Sequence, residues 1–271
     1  MGLDWISSLG AAVPQPGYVA LVFLLTLRLG ALLLLTPILY AAGMPPTVRV
    51  LLVVGLAAAL ALGLPESAAP SAQLLTSVGL LEAAVAELAL GATLALGIFI
   101  AFAAISMAGR LIDVQIGFGM AQVFDPATQR QIPILTAAFN QLGVLVFFLV
   151  NGHHALLRGV AYTLERYPPG RPWPVESAAP MVAKQMASLF SLGFALAAPV
   201  VVCLLLVELA MGVVARNLPQ MNMFVIGIPV KIVVGLVLLS VWFAGLGDAM
   251  SRTYGFIFRS WETAFAASGT R

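Results

Sequence analysis

The sequence predicts an all-α integral-membrane protein built from kinked helical hairpins. Three observations carry that prediction. Hydrophobic residues make up 61% of the 271-residue chain and charged residues 9%, against about 25% charged in soluble domains. The apolar residues gather into long runs, and mean hydropathy reaches +1.04. The connections between runs carry Gly, Pro and Asn, which end and restart helices. A net charge of +2 with no basic run points away from nucleic acid. The single cysteine, Cys203, lies in an apolar run, so an intrachain disulfide is excluded and inert packing is its expected role.

The start of the chain, MGLDWISSLG, does not read as a secretory signal, because it lacks a basic n-region. Trp5, Ile6 and Leu9 share one helical face and suit a short interfacial helix. The apolar runs follow: Tyr18 to Ala41, Val50 to Leu64, Leu74 to Met107, Pro133 to Val150, Met186 to Val214 and Asn222 to Gly247. A membrane-crossing helix needs about 20 residues. The second run is short for that and the third is long, which predicts broken, tilted or partly extramembrane helices.

Gly43 to Pro46 ends the first helix and restarts the next, and Pro65 to Pro70 makes a small-residue turn. Asn151 and Gly152 suit a helix C-terminal cap. Arg158 to Lys184 is the longest polar segment, and its prolines predict a stiff, extended crossover. Pro199 is expected to kink the fifth helix, and Pro229 to break the last one. Between those arms, Arg216, Pro219 and Gln220 form a polar hairpin tip, with Met211, Met221 and Met223 close by. No repeat of fixed period is evident. In a six-span scheme Arg49, Arg110, Arg130 and Arg216 fall on one side and the remaining loop cations on the other. The second set is the larger, which favours the cytoplasm for that side.

The stretch Gly109 to Pro133, GRLIDVQIGFGMAQVFDPATQRQIP, is expected to be irregular. It is too long for a tight turn and too rich in Gly and Pro to continue a helix. It is nonetheless about half apolar, through Ile112, Ile116, Phe118, Met120, Val123, Phe124 and Ile132. Irregular backbone at membrane depth is tolerated only against protein or along a water-filled cavity. The loop is therefore expected to line or close a pathway. Gly117 and Gly119 would let it move, while Ile116, Phe118, Met120 and Phe124 could exclude water by dewetting.

Arg28, Glu82, Glu87, Glu208 and Lys231 lie inside apolar runs and are the candidate buried charges. Each would cost about 2.5–3.5 kcal/mol at mid-bilayer, so they must pair, reach water or face a partner. Glu208 and Lys231 stand at nearly equal distances from the Pro219 turn, which predicts an ion pair across the hairpin. Glu82 and Glu87 are poorly placed to share a helix face. His153 and His154 are adjacent, a loop-cap spacing rather than a metal-ligand one. The chain shows no P-loop, GxSxG, HExxH or CxxC. No enzyme activity, cofactor or metal is expected.

Several motifs in order resemble one family. They are Arg28 with Thr36-Pro37; Pro45 to Arg49; Ala108-Gly109 with Ile112; Gln115 to Gly119; Asp125-Pro126 with Pro133; Asn151-Gly152-His153; Pro199; Gly212 to Arg216; Pro219-Gln220; and Phe224 to Pro229. Together they resemble the FliR/SctT family of type III secretion export-gate proteins, with the flagellar branch favoured. The resemblance implies one subunit of a helical, closed export gate in the flagellar basal body at the bacterial inner membrane. It implies FliP-type and FliQ-type gate subunits, an FlhB-type switch protein and unfolded flagellar export substrates as partners.

Residues 1–185 would be a FliP-like part that includes the loop 109–133, and residues 186–271 a FliQ-like hairpin and tail. The family's plug loop would map onto Gln115, Ile116, Gly117, Phe118, Gly119, Met120, Phe124, Asp125 and Pro126. A stand-alone secondary transporter would also use broken helices and intramembrane charges, but it predicts internal pseudo-symmetry, and no clear halves are seen.

Overall fold

A computed structural model describes residues 16–41, 43–65, 76–118, 133–171, 179–218, 220 and 222–267. Among them every regular element is a helix. The order is α1 (Pro16–Leu35), α2 (Ile38–Ala41), α3 (Pro46–Gly63), α4 (Ser77–Ile116), α5 (Ile134–Leu149), α6 (Gly152–Arg166), α7 (Ala179–Asn217) and α8 (Met223–Ala267). Five are long and apolar enough to cross a membrane, and α5 with α6 would add a sixth as one broken span. The expected all-α membrane class and the six runs are therefore observed.

Helix lengths are uneven, as the second and third runs predict. α3 has 18 residues and α4 has 40. At 1.5 Å per residue α4 is about 60 Å long, twice the hydrocarbon thickness of about 30 Å. α7 and α8, with 39 and 45 residues, exceed that thickness as well.

The chain divides into two compact units that interleave along the sequence. One takes residues 1–97, 155–182 and 261–271, and the other 98–154 and 183–260.

In the first unit α1 buries Leu21, Leu24, Leu25, Arg28, Leu29 and Leu32, a stripe at helical spacing. α3 packs along α1 and buries only Val53, Ala57 and Ala61. Its narrow contact stripe is made of small side chains, and its other faces stay apolar and exposed. In the second unit α4 buries Ile98, Ala101, Phe102, Ile105, Ala108, Ile112 and Ile116. Phe102, Phe147 and Tyr254 form an aromatic cluster there, with ring centroids 5.5–6.4 Å apart. The Tyr254 hydroxyl donates to the Gly143 carbonyl at 2.9 Å.

Three expectations need correction. The irregular stretch does not begin at Gly109: α4 continues through it to Ile116. A single glycine lowers helix propensity by only about 1 kcal/mol, and here a close helix contact requires it. The real stop is Gly117, at φ 99, whose amide bonds the Asp113 carbonyl at 3.2 Å. A glycine in that conformation is a familiar helix terminator.

The polar crossover is also shorter than expected. Arg158 to Arg166 belong to α6, and Ala179 to Lys184 to α7. α6 is polar on average, yet it buries Leu156, Val160, Thr163 and Leu164 along one side. Hydropathy runs overlook such an amphipathic helix. Finally, Pro229 does not break the last helix, which continues through it; Pro199, where a kink is expected, lies inside α7. Each proline removes one backbone hydrogen bond, and the ladder on either side persists. The expected Asn151 cap is seen: Asn151 has φ 55, and α6 restarts directly after it.

Candidate functional site

The base of the predicted loop lies where α4 ends and α5 begins. Pro133 takes the N-cap position of α5 and offers no side-chain acceptor. The first amides of a helix need acceptors. Asp113, one turn before the end of α4, supplies them from a different helix. Its Oδ1 accepts from the Leu135 amide at 3.0 Å. Its Oδ2 accepts from the Thr136 amide at 2.8 Å and from the Thr136 hydroxyl at 2.7 Å. Asp113 is 2% exposed, and its negative charge faces the positive end of the α5 dipole.

The rest of the α4–α5 seam repeats at helical spacing. A Cβ on Gly109 would lie 2.8 Å from Thr136 Cα, so only glycine allows this approach. One turn earlier, the Ser106 hydroxyl donates to Asn140 Oδ1. Ile116, the last residue of α4, is fully buried. It packs so closely on α8 that a Cβ at Gly235 would sit 2.6 Å from its Cγ1. The chain thus leaves α4 and returns to α5 from a base fixed by three helices.

The predicted plug residues divide at this base. Gln115 and Ile116 are helical, and Ile116 faces α8 rather than an irregular loop. Gly117 follows as the turn out of α4, and Phe118 after it is helical again. Gly119, Met120, Phe124, Asp125 and Pro126 lie outside the described residues.

The candidate buried charges separate into three kinds. Arg28 and Glu87 are 1% and 2% exposed and form a two-pronged pair. Arg28 Nε donates to Glu87 Oε2, and Nη2 donates to Oε1 at 2.9 Å. The remaining Arg28 donors reach the Tyr167 carbonyl at 2.9 Å and the Thr163 hydroxyl at 3.3 Å. The Gly170 amide donates to Glu87 Oε1 at 3.2 Å. Gly91, one turn beyond Glu87, lets α4 meet α1 here: a Cβ would fall 2.3 Å from the Arg28 carbonyl oxygen.

Glu82, by contrast, is exposed on this chain. The third kind is the hairpin pair. Lys231 Nζ bonds Glu208 Oε1, as the equal spacing from the turn predicts, with side chains 21% and 41% exposed. Nearer the tip a Cβ on Gly227 would lie 3.6 Å from Met211 Cε, which fits the same antiparallel register. At the tip Arg216 ends in the last turn of α7, Gln220 is in a turn, and Pro219 lies outside the described residues. The rings of His153 and His154 lie 4.2 Å apart, tilted by 39°, and His153 lies beside Phe148.

Sequence reasoning missed Asp113, because it was assigned to an irregular stretch. A usable signal existed: a helix opening on Pro133 has no cap of its own and needs a distant acceptor. Thr163 and the Tyr167 carbonyl were missed for a similar reason, since α6 was read as crossover.

These arrangements bind, brace and orient helices. A model of the bacterial export proteins, family 1, matches residues 19–256. Flagellar biosynthetic protein FliR of Bacillus subtilis is 39% identical over 158 residues, 57% of this chain and 61% of that protein. FliR of Escherichia coli is 34% identical over 215 residues, 79% of this chain and 80% of that protein. Secretion system apparatus protein SsaT of Salmonella typhimurium is 25% identical over 158 residues, 58% of this chain and 61% of that protein.

Proposed function

Because this chain belongs to the bacterial export proteins, family 1, we propose that it is a core subunit of a flagellar type III protein export gate. In this reading it forms, with FliP-type and FliQ-type subunits, the channel through which unfolded flagellar proteins pass. The observation that carries the reading is the family match over residues 19–256, joined by 34% identity to a FliR across four-fifths of both chains. Identity to the flagellar relatives reaches 39%, and to the injectisome relative SsaT 25%. The flagellar assignment is favoured on that ground.

The structure supports a need for neighbours. The apolar windows of α7 and α8 are 28% and 6% buried within the chain, against 56% for α1 and 61% for α4. Such helices ask for lipid or other subunits along most of their length. FliQ-type subunits and an FlhB-type switch protein are the expected partners, and the bacterial inner membrane within the flagellar basal body is the expected place. The stretch after Gly117 would act as the plug, held at its base by Asp113.

The test is complementation and co-purification. In a bacterium lacking its own FliR, the chain should restore secretion of hook and filament proteins. An affinity tag on it should recover FliP-type and FliQ-type subunits in one complex. Recovery as a solitary monomer that supports no export would overturn the reading.

A further inference from the structure

The first turns of α4 carry an uncovered face with a charge on it. Val78, Leu81, Val85 and Leu88 are 67%, 66%, 59% and 43% exposed. Glu82 is exposed beside them, and at 3.6 residues per turn all five fall within about 120° of arc. Glu87, five residues on, lies about 140° round the helix from Glu82 and turns inward to Arg28.

Glu82 has no cation to match it. Its neighbours on the helix surface, three and four residues away on either side, are Val78, Gly79, Val85 and Ala86. Among the described residues the ion pairs are Arg28–Glu87 and Lys231–Glu208, and Glu82 belongs to neither.

Lipid is a poor cover for this face. The stretch Leu88 to Gly109 holds no charged residue. It is about 33 Å long at 1.5 Å per residue, close to the hydrocarbon thickness of about 30 Å. With that stretch across the membrane, Glu82 stands about 9 Å beyond its edge. Val78, Leu81 and Val85 would there meet headgroups or water instead of acyl chains. Apolar side chains clustered in the open at such a level mark a protein contact.

We infer that this face of α4 docks a segment of another subunit that sets one Lys or Arg among apolar side chains, the cation pairing with Glu82. The apolar contacts supply the area, and the carboxylate fixes the register and repels acidic neighbours. The inference rests on the reading that the chain works as a subunit of a larger complex.

The test uses the full chain in its complex, in native membranes. A benzophenone side chain at Leu81 or at Val85 is irradiated, and the adducts are mapped by mass spectrometry. Each position should crosslink to another subunit, on a segment that contains a Lys or Arg. Glu82→Asp should keep the crosslink yield and Glu82→Gln should lower it about fivefold, the upper factor for an exposed ion pair. Glu82→Lys should lower it further, and Glu in place of the mapped Lys or Arg should then restore it. Glu82 has no partner within the chain, so these variants should leave its steady-state level unchanged. Adducts to lipid or to this chain itself, or a yield indifferent to the charge at position 82, would overturn the inference while the complex still co-purifies and the proposed function stands. Recovery of the chain alone would overturn both.

Discussion

Asp113 and Thr136 stand on different helices, yet the carboxylate of one caps the helix that the other begins. Thr136 gives Asp113 both its amide, at 2.8 Å, and its hydroxyl, at 2.7 Å. The contact closes the base of the segment between α4 and α5. Asp113→Asn should therefore weaken the chain, because an amide side chain carries no charge and turns a donor toward one of the α5 amides. The expected loss is about 1.5–3 kcal/mol, the range for a buried charged hydrogen bond. Thr136→Val removes only the hydroxyl and should cost about 1 kcal/mol. Denaturation of the detergent-solubilised complex would show this order. Equal losses for the two variants would mean that capping is not the main role of Asp113.

The buried pair in the first unit makes a different prediction. Arg28 and Glu87 are nearly inaccessible, and each has partners besides the other. Removing one partner leaves an uncompensated charge, which costs about 3–5 kcal/mol, whereas replacing a whole buried pair with apolar residues is often close to neutral. Arg28→Met and Glu87→Leu should each reduce the steady-state level of the protein severely. The double variant should recover most of it, read by quantitative immunoblot of membranes. A double variant as depleted as the worse single one would show that the Thr163, Tyr167 and Gly170 contacts matter more than the charge balance.

Close helix approach sets a third expectation. A Cβ at Gly109 would meet Thr136 Cα at 2.8 Å, and one at Gly212 would meet nothing within 4 Å. Gly109→Ala should therefore part α4 from α5 and disturb the Asp113 cap one turn away, at a cost of about 1–3 kcal/mol for overpacking. Gly212→Ala should leave thermal stability unchanged or raise it slightly. The two alanines have the same intrinsic helix preference, so a difference in melting temperature isolates the contact. Identical melting would sink the claim that Gly109 is required by packing.

The contrast between those positions also shows what the sequence could disclose. The membrane class, the six helical runs and the Asn151 break were legible, because they follow from apolar length and local backbone preference. The Glu208–Lys231 pair was legible from distance to a turn, since an antiparallel hairpin converts sequence spacing into position. Asp113 was not, because Gly109 and Gly117 look alike in sequence. One admits a neighbouring helix and the other ends its own, and only tertiary contact separates them. Likewise α6 carries Thr163 to Arg28 from a segment whose average polarity resembles a loop.

The hairpin pair gives the last prediction. Lys231 and Glu208 lie within apolar helices whose other surfaces are largely uncovered by this chain. A lone charge there would face lipid or an apolar neighbour, at about 2.5–3.5 kcal/mol on the insertion scale. In water an exposed pair of this kind would contribute about 1 kcal/mol or less, so its environment determines the size of the effect. Glu208→Gln and Lys231→Gln should each lower the yield of assembled complex, and the double variant should restore part of it. The exchange Glu208→Lys with Lys231→Glu should restore more, because it keeps the pair. Strictly additive losses in this cycle, measured as recovered complex per membrane, would mean that the two side chains act independently. The strong coupling expected instead would place the pair away from bulk water, at a level where the α7–α8 hairpin is covered by lipid or by a neighbouring subunit.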